Sequence, residues 1–253
     1  MHPVLIELGP VTLYSYGFFI AAAFILAMAW TMREAGLKGL DKRFVLDIGF
    51  YVLLGGLLGA RLLFVALNPE LYTDDPLGVF KFWQGGLNFM GGAFLASLFL
   101  IVYLRVNNQK ILPWLDTAAP GVALGLFVGW LGCLAAGCGY GRPADFFWSI
   151  TFTDSQALAP LFVSIHPAQA YHALAALGCF IVMLLIKNSF RVSGRLAGVF
   201  LIMYSLLRMI MDFFRDDLGL ELGFMSVNQV LGLAVLAVGL ILYFQKAGYE
   251  KSF

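Results

Sequence analysis

The stretch GRLAGVFLIMYSLLRMIMDFFRDDL, residues 194–218, has the apolar composition of a membrane span but also carries ionisable side chains. Four polar residues follow one another at spacings of four, four and three, which places them on one helix face: Tyr204, Arg208, Asp212 and Arg215. A charge in hydrocarbon costs roughly 2.5–3.5 kcal/mol unless it is paired or reaches water. The stretch therefore predicts a functional site inside a membrane protein.

The composition of the whole chain agrees with a membrane protein. Hydrophobic residues make up 61% of the 253 residues, and charged residues make up 12%. A soluble domain has roughly 25% charged residues. Hydropathy predicts seven spans at about 11–32, 44–67, 87–105, 112–137, 167–187, 195–215 and 224–245. We therefore expect an all-α polytopic membrane protein, folded as a single seven-span domain over residues 1–253.

The charges between the spans predict the orientation of the chain. Lysine and arginine concentrate in the segments 33–43, 105–111, 187–195 and 246–253, whereas the alternate segments are mainly acidic. By the positive-inside rule the basic segments are cytoplasmic, so the N-terminus is outside and the C-terminus is cytoplasmic. The long loops at about 68–86 and 138–166 are then external.

The pair Arg208 and Asp212 has two interpretations. As an intrahelical ion pair it would only allow the span to insert, and such pairs are often replaceable by apolar residues. As a binding site, Arg208 would hold an anion, because its guanidinium stays charged and matches phosphate oxygens with two hydrogen bonds. At the depth of the outer leaflet we expect a phospholipid head group, with Tyr204 donating a hydrogen bond near its glycerol.

Two further features lie at the same predicted depth. Arg61 follows Gly55, Gly56 and Gly59, small residues that allow close helix packing, and it would either share the phosphate or extend to the interface. The run GWLGCLAAGCGYGRP at 129–143 holds five glycines and a proline, which disfavour a continuous helix. Such backbone at membrane depth predicts the wall of a wet or ligand-lined cavity.

Other polar side chains complete the candidate site. Asn88, at the start of the third span, can hydrogen-bond ligand oxygens. His166 and His172 are candidates for proton transfer because histidine titrates near neutral pH, with a capping or interfacial role as the alternative. Gln169 lies on the turn between them, so all three belong to one face of the fifth span.

The cysteines do not predict a metal centre. Cys133 and Cys138 are five residues apart, a spacing that suits neither a zinc knuckle nor a CxxC redox pair. We interpret them as small structural residues, with a disulfide or a nucleophilic thiol as open alternatives. No metal and no cofactor are expected.

Five motifs, in this order, resemble those of the prolipoprotein diacylglyceryl transferase family over nearly the whole chain. They are GAR at 59–61, WQGGLNFMGG at 83–92, the glycine-rich run at 129–143, HPAQAYH at 166–172 and YSLLRMIMDFFR at 204–215. The resemblance implies transfer of diacylglyceryl from phosphatidylglycerol to the lipobox cysteine thiol of a preprolipoprotein in the bacterial inner membrane. The implied partners are phosphatidylglycerol, preprolipoprotein signal peptides and membrane lipids, with no nucleic acid.

The resemblance also implies roles for individual residues. Tyr204 and Arg208 match the family's sixth-span tyrosine and essential arginine. The chain departs from the family pattern at Met90, Trp130, Cys133, Ala136, Cys138, His172 and Asp212. The residues expected in catalysis are Arg208, Tyr204, His166 and Asp212. Those expected to bind substrate are Arg61, Arg142, Gly141, Asn88, Gln169 and His172.

Two alternatives to this enzyme remain open. One is a divergent paralogue that binds phospholipid or lipoprotein without the reaction, or with a different specificity. The other is a small transporter. The acidic external loops and the lack of paired inverted repeats give this alternative little support.

Overall fold

The computed structural model describes residues 2–8, 11–73, 75–82, 85–217, 221–222 and 225–245. Within these residues the chain forms seven α-helices: α1 Ser15–Leu37, α2 Arg43–Leu67, α3 Phe89–Val106, α4 Ile111–Ala136, α5 Ala168–Ile186, α6 Arg195–Asp212 and α7 Val227–Phe244. Short strands pair antiparallel: β1 Val4–Leu8 with β2 Val11–Tyr14, β3 Ile150–Thr151 with β4 Ser164–Ile165, and β5 Glu221–Leu222 with β6 Met225–Ser226. Trp83 and Gln84 of the third-span motif lie outside the described residues, as do Lys246 and Lys251.

The helices have the length and composition of a multi-pass membrane protein. The five from α1 to α5 are long and apolar enough to cross a membrane, and α7 contains a shorter apolar stretch, Gln229–Phe244. The 18-residue α6 carries three charged side chains, Arg195, Arg208 and Asp212. Many large apolar side chains on these helices are exposed, as lipid-facing residues are: Phe50, Phe94, Leu174 and Leu185 are examples. The chain is therefore a helical polytopic membrane protein.

The first helix begins later than hydropathy predicts. The predicted span starts at residue 11, but Val11–Tyr14 forms β2, and α1 begins at Ser15. The backbone N–H of Ser15 donates to the carbonyl of Pro3 at 2.8 Å, which anchors the start of α1 to the preceding hairpin. A short apolar run does not distinguish strand from helix, so the pattern alone misplaced this boundary.

The glycine-rich run is helical over its first half, and the prediction against a continuous helix is wrong there. Helix α4 continues through Gly129 and Gly132 to Ala136, and the chain turns at Gly137, whose φ is +86°. A Cβ at Gly132 would lie 2.6 Å from the Cβ of Phe19 on α1. Close packing of the two helices therefore outweighs the low helix propensity of glycine.

Contacts divide the chain into two compact units, one of Met1–Glu34 with Leu115–Phe253 and one of Ala35–Trp114. In the smaller unit α2 packs closely on α3, because a Cβ at Gly59 would overlap the carbonyl oxygen of Gly91. This confirms the close approach predicted from the small residues of the second span. The single domain expected from the sequence stays a prediction.

In the larger unit, polar contacts show which helix ends lie together. Asp116, near the start of α4, accepts hydrogen bonds from the backbone N–H of Gly194 at 2.6 Å and of Ala197 at 2.8 Å, and so caps α6. Oε1 of Glu34, near the end of α1, lies 2.6 Å from Nζ of Lys187, which follows α5. The opposite ends, where α4 and α6 end and α5 begins, carry the predicted site residues.

Candidate active site

A buried ionic cluster lies where α6 ends against the start of α5. Asp212, the last residue of α6, is fully buried, and its Oδ1 lies 3.3 Å from Nη1 of Arg215. Nε2 of His172 lies 3.6 Å from the same oxygen, which is longer than a hydrogen bond. Nη2 of Arg215 also contacts Oδ1 of Asp217 at 2.9 Å. The charge of Asp212 is therefore compensated by a guanidinium, as a buried carboxylate requires.

Trp130 of α4 forms one side of this cluster. Its ring stacks on the imidazole of His172, with centroids 4.0 Å apart and an interplanar angle of 6°. The guanidinium carbon of Arg215 lies 5.7 Å from the centroid of the tryptophan ring, within cation–π range. Trp130 therefore helps to orient both His172 and Arg215.

Arg215 reaches the cluster from a turn, so the prediction that it continues the helical face is wrong. Helix α6 ends at Asp212, and Arg215 forms a β-bridge with Gly141. Nε of Arg142 donates to the carbonyl of Arg215 at 3.1 Å. A Cβ at Gly141 would overlap the backbone oxygen of His166, so only glycine lets these segments approach so closely. The predicted roles of Gly141 and Arg142 in binding stay predictions.

Arg208 lies one helical turn before Asp212 and is half-buried. Its Nη1 lies 3.3 Å from the hydroxyl of Tyr204, to which it donates. The ring of Tyr204 stacks on Phe200 with centroids 5.9 Å apart. A guanidinium has five N–H donors, and within the described residues Tyr204 uses one of them. This arrangement suits the binding of an anion, as the sequence predicts.

His166 lies in an aromatic cluster beside the ionic one. Its Nδ1 is 3.2 Å from the hydroxyl of Tyr171, which accepts a hydrogen bond from the indole N–H of Trp148 at 2.7 Å. The rings of Phe146 and Phe214 pack against the imidazole. The two histidines of the fifth-span motif therefore have different surroundings, and which of them moves a proton stays a prediction.

Gln169 lies one turn before His172 on α5 and is fully buried. Among the described residues, four buried polar atoms here have no hydrogen-bond partner: Nε2 and Oε1 of Gln169, Nε2 of His172 and Oδ2 of Asp212. Buried polar atoms are normally paired, and an unpaired one costs about 1–3 kcal/mol. Their proximity marks the polar part of the candidate site.

Arg61 and Asn88 belong to the smaller unit, and both contact backbone. The guanidinium of Arg61, which is only 4% exposed, donates to the carbonyl oxygens of Gly78, Val79, Gly85 and Gly86 at 2.6–3.1 Å. Oδ1 of Asn88 accepts from the backbone N–H of Met90 at 2.9 Å and caps α3. Both residues thus have a structural role, and their predicted roles in ligand binding stay predictions.

Cys133 and Cys138 are free thiols in the structure, as is Cys179. The side chains of Cys133 and Cys138 are hydrogen-bonded to each other. This bond lowers the pKa of Cys138, which lies in the turn after α4. The two thiols are therefore close enough to interact but form no disulfide in the structure, and a nucleophilic role stays a prediction.

Asp116 is the residue whose contribution the sequence analysis missed. It caps α6 from another helix and thereby supports the element that carries Arg208 and Asp212. A carboxylate inside an otherwise apolar helix was the available signal, because its burial cost predicts a partner. The partner itself lies 78 residues further along the chain, which the pattern does not reveal.

Fold and site together define a class of protein, a helical multi-pass membrane protein with a buried ionic site formed by α4, α5 and α6. A family model described as prolipoprotein diacylglyceryl transferase matches residues 3–245. The chain belongs to this family. The family resemblance predicted from the motifs is confirmed.

Individual relatives extend this similarity over nearly the whole chain. The phosphatidylglycerol–prolipoprotein diacylglyceryl transferase of Bordetella avium is 32% identical over 249 residues, which are 95% of this chain and 93% of the relative. The enzyme of that name from Vibrio atlanticus is 32% identical over 258 residues, or 98% and 93% of the two chains. The one from Clostridium tetani is 27% identical over 243 residues, which are 96% of this chain and 97% of the relative.

Proposed function

We propose that this protein is a transferase of the bacterial inner membrane that moves diacylglyceryl from phosphatidylglycerol to the cysteine thiol of a prolipoprotein. The observation that carries the proposal is the family match over residues 3–245, which includes every helix of the candidate site. The names of the relatives give the two substrates. The half-buried Arg208 and the ionic cluster after it supply the positive charge needed by a reaction in which a phosphate is the leaving group.

The proposal includes seven spans with the N-terminus outside and the C-terminus in the cytoplasm. Two contacts support this topology within the larger unit. The Glu34–Lys187 ion pair and the Asp116 cap of Gly194 bring the end of α1 and the start of α4 to the basic segment 187–195 that precedes α6. The positive-inside rule makes that end cytoplasmic. The candidate site then lies at the outer end, which a secreted prolipoprotein reaches.

The proposed reaction forms one bond and breaks one. The cysteine sulfur bonds to the carbon of the diacylglyceryl group that carries the phosphate, and the bond from that carbon to the phosphate oxygen breaks. Glycerol phosphate leaves with the electron pair, and the product is a thioether. Arg208 would stabilise the charge that grows on the leaving phosphate, with Tyr204 holding the guanidinium in place.

The thiol proton requires an acceptor close to the site. His166 is the proposed acceptor, since its imidazole is half-buried and held by Tyr171. Asp212 would act by fixing Arg215 and His172 rather than by touching the reacting carbon. Arg142 and Gly141 would form the adjoining wall.

The test is a reconstituted assay with the full-length protein in lipid nanodiscs. We expect phosphatidylglycerol and a peptide with a lipobox cysteine to give glycerol phosphate and a peptide heavier by one diacylglyceryl group. The same peptide with serine in place of that cysteine is the control and should remain unmodified. Phosphatidylglycerol binding without any thioether product would contradict the proposal and favour a relative that only binds its lipid.

A further inference from the structure

We propose that Gln169, His172 and Asp212 form a subsite for the two neighbouring hydroxyl groups of a glycerol head group. The subsite rests on the proposed function insofar as phosphatidylglycerol is the source of that glycerol. It would make the protein select the head group by its hydroxyls, in addition to the phosphate contact at Arg208. The chemical class recognised is an uncharged vicinal diol attached to a phosphate.

The three side chains are neighbours on two packed helices. Gln169 and His172 are three residues apart on α5, so they lie on the same face. Nε2 of His172 lies 3.6 Å from Oδ1 of Asp212 on α6. All three residues are at most 2% exposed. The His172–Asp212 pair and the Gln169 side chain one turn away on α5 therefore form the buried polar group on which the proposal rests.

Their unpaired atoms need both donors and acceptors from a ligand. Among the described residues, Gln169 has an unpaired donor, Nε2, and an unpaired acceptor, Oε1, while Asp212 has an unpaired acceptor, Oδ2. Nε2 of His172 is also unpaired within this part of the structure. A hydroxyl group donates one hydrogen bond and accepts others, so two hydroxyls satisfy this mixed set.

Charged ligand groups match the subsite less well. An ammonium group only donates, so it would leave Nε2 of Gln169 unpaired and would lie close to Arg215. A phosphate group only accepts, and Oδ2 of Asp212 would repel it. Because the charges of Arg208 and Arg215 together offset those of Asp212 and Asp217 at this end of α6, a neutral group fits the electrostatics best.

Arg208 lies where the phosphate of the same head group would be bound. It precedes Asp212 by four residues, which is roughly 6 Å along the helix axis. A phosphate at Arg208 and hydroxyls near Asp212 would therefore be bound about one helical turn apart, which is the length scale of a three-carbon head group. Free glycerol phosphate carries the same groups and is the other source to be tested.

The experiment measures lipid binding without a peptide acceptor. The two probes are phosphatidylglycerol and phosphatidylpropanol, which share the phosphate and the three-carbon chain but differ in the hydroxyls. We expect the wild-type protein in detergent micelles to bind phosphatidylglycerol at least about tenfold more tightly, measured by native mass spectrometry. Gln169→Leu should bring this ratio close to one without weakening phosphatidylpropanol binding.

Two variants control for misfolding. Gln245→Leu removes an amide that donates to the carbonyl of Ser193 at 2.7 Å, at the opposite end of the unit, and should keep the wild-type ratio. Gln169→Glu preserves the shape and the acceptors but loses the donor, and should give an intermediate ratio. Equal affinity of the wild type for the two lipids, or an unchanged ratio in a folded Gln169→Leu protein, would overturn the subsite.

The outcome separates this inference from the proposed function. A hydroxyl preference in a protein that forms no thioether would support the subsite and contradict the transferase. Equal transfer from phosphatidylglycerol and phosphatidylpropanol would support the transferase and overturn the subsite. Binding of glycerol phosphate in place of the lipid would overturn the lipid as the source of the hydroxyls.

Discussion

Arg61 on α2 and Asp212 on α6 are both buried ionisable residues in apolar helices, yet their surroundings differ. The guanidinium of Arg61 donates to four backbone carbonyl oxygens of the segment 78–86. Asp212 pairs with Arg215 through one oxygen, while its other oxygen and the nearby Gln169 amide have no partner within the described residues. Burial alone therefore does not identify a functional residue.

The difference lies in what satisfies the buried group. A charge bound entirely by backbone stabilises a loop, because each charge-assisted hydrogen bond contributes about 1.5–3 kcal/mol. A cluster that leaves polar atoms unpaired costs stability, and such a cost is typical of a site arranged for a ligand. On this basis we expect substitution of Arg61 to reduce stability and substitutions near Asp212 to reduce activity.

The largest expected effect is on activity, from Arg208→Ala. Losing the guanidinium that stabilises the leaving phosphate should lower kcat/KM for diacylglyceryl transfer about 100- to 1,000-fold. The melting temperature should change little, since the described contact of this guanidinium is a single bond to Tyr204. Arg191→Ala, at an exposed arginine of the same unit, is the matched control and should retain activity. Equal activity of both variants would refute the assignment of Arg208.

Arg61→Leu should have the largest effect on stability. It leaves four carbonyl oxygens without their donor, and we expect a loss of about 3 kcal/mol in the free energy of unfolding. Arg105→Leu, at an exposed arginine of the same unit, should leave stability unchanged. If Arg61→Leu instead melts like the wild type but no longer binds phosphatidylglycerol, Arg61 is the phosphate ligand that the sequence predicted.

Asp116→Ala should cause a smaller loss of stability. It removes the acceptor for the backbone N–H groups of Gly194 and Ala197, and caps of this kind contribute about 1–2 kcal/mol. Thermal unfolding in detergent measures the loss, with Asp145→Ala at an exposed position as the control. Asp116→Asn keeps one acceptor oxygen and should recover part of the stability. An Asp116→Ala protein as stable as the control would show that the cap is dispensable.

The smallest effect is expected at the exposed pair Asp75 and Lys81. The hydrogen bond from Lys81 lowers the pKa of Asp75, so the pair stabilises the fold above the unfolded pKa of 3.8. That contribution is lost as the pH falls through the still lower folded value. Lys81→Met should shift the melting temperature at pH 7 by no more than about 1 °C. The shift should shrink as the pH is lowered below 3.8, and a shift that grows there would contradict this assignment.

Several elements of the fold were predictable because membrane burial depends on local composition. The predicted spans 44–67 and 112–137 match α2 and α4 to within one residue. The β1–β2 hairpin was not predictable in this way, since Val11–Tyr14 is as apolar as a helix start. The end of α6 was also missed, because it depends on the bridge between Gly141 and Arg215, 74 residues apart.

In the candidate site, too, some features were predictable from the sequence and others were not. Helical periodicity was sufficient to place Arg208 and Asp212 on one face, because both lie on one continuous element. The stacking of Trp130 on His172 joins residues 42 positions apart on different helices, so it required the packed structure. The same holds for the backbone contacts of Arg61. Periodicity reports which residues share a surface, whereas tertiary packing decides which buried polar atoms are paired and which are left for a ligand.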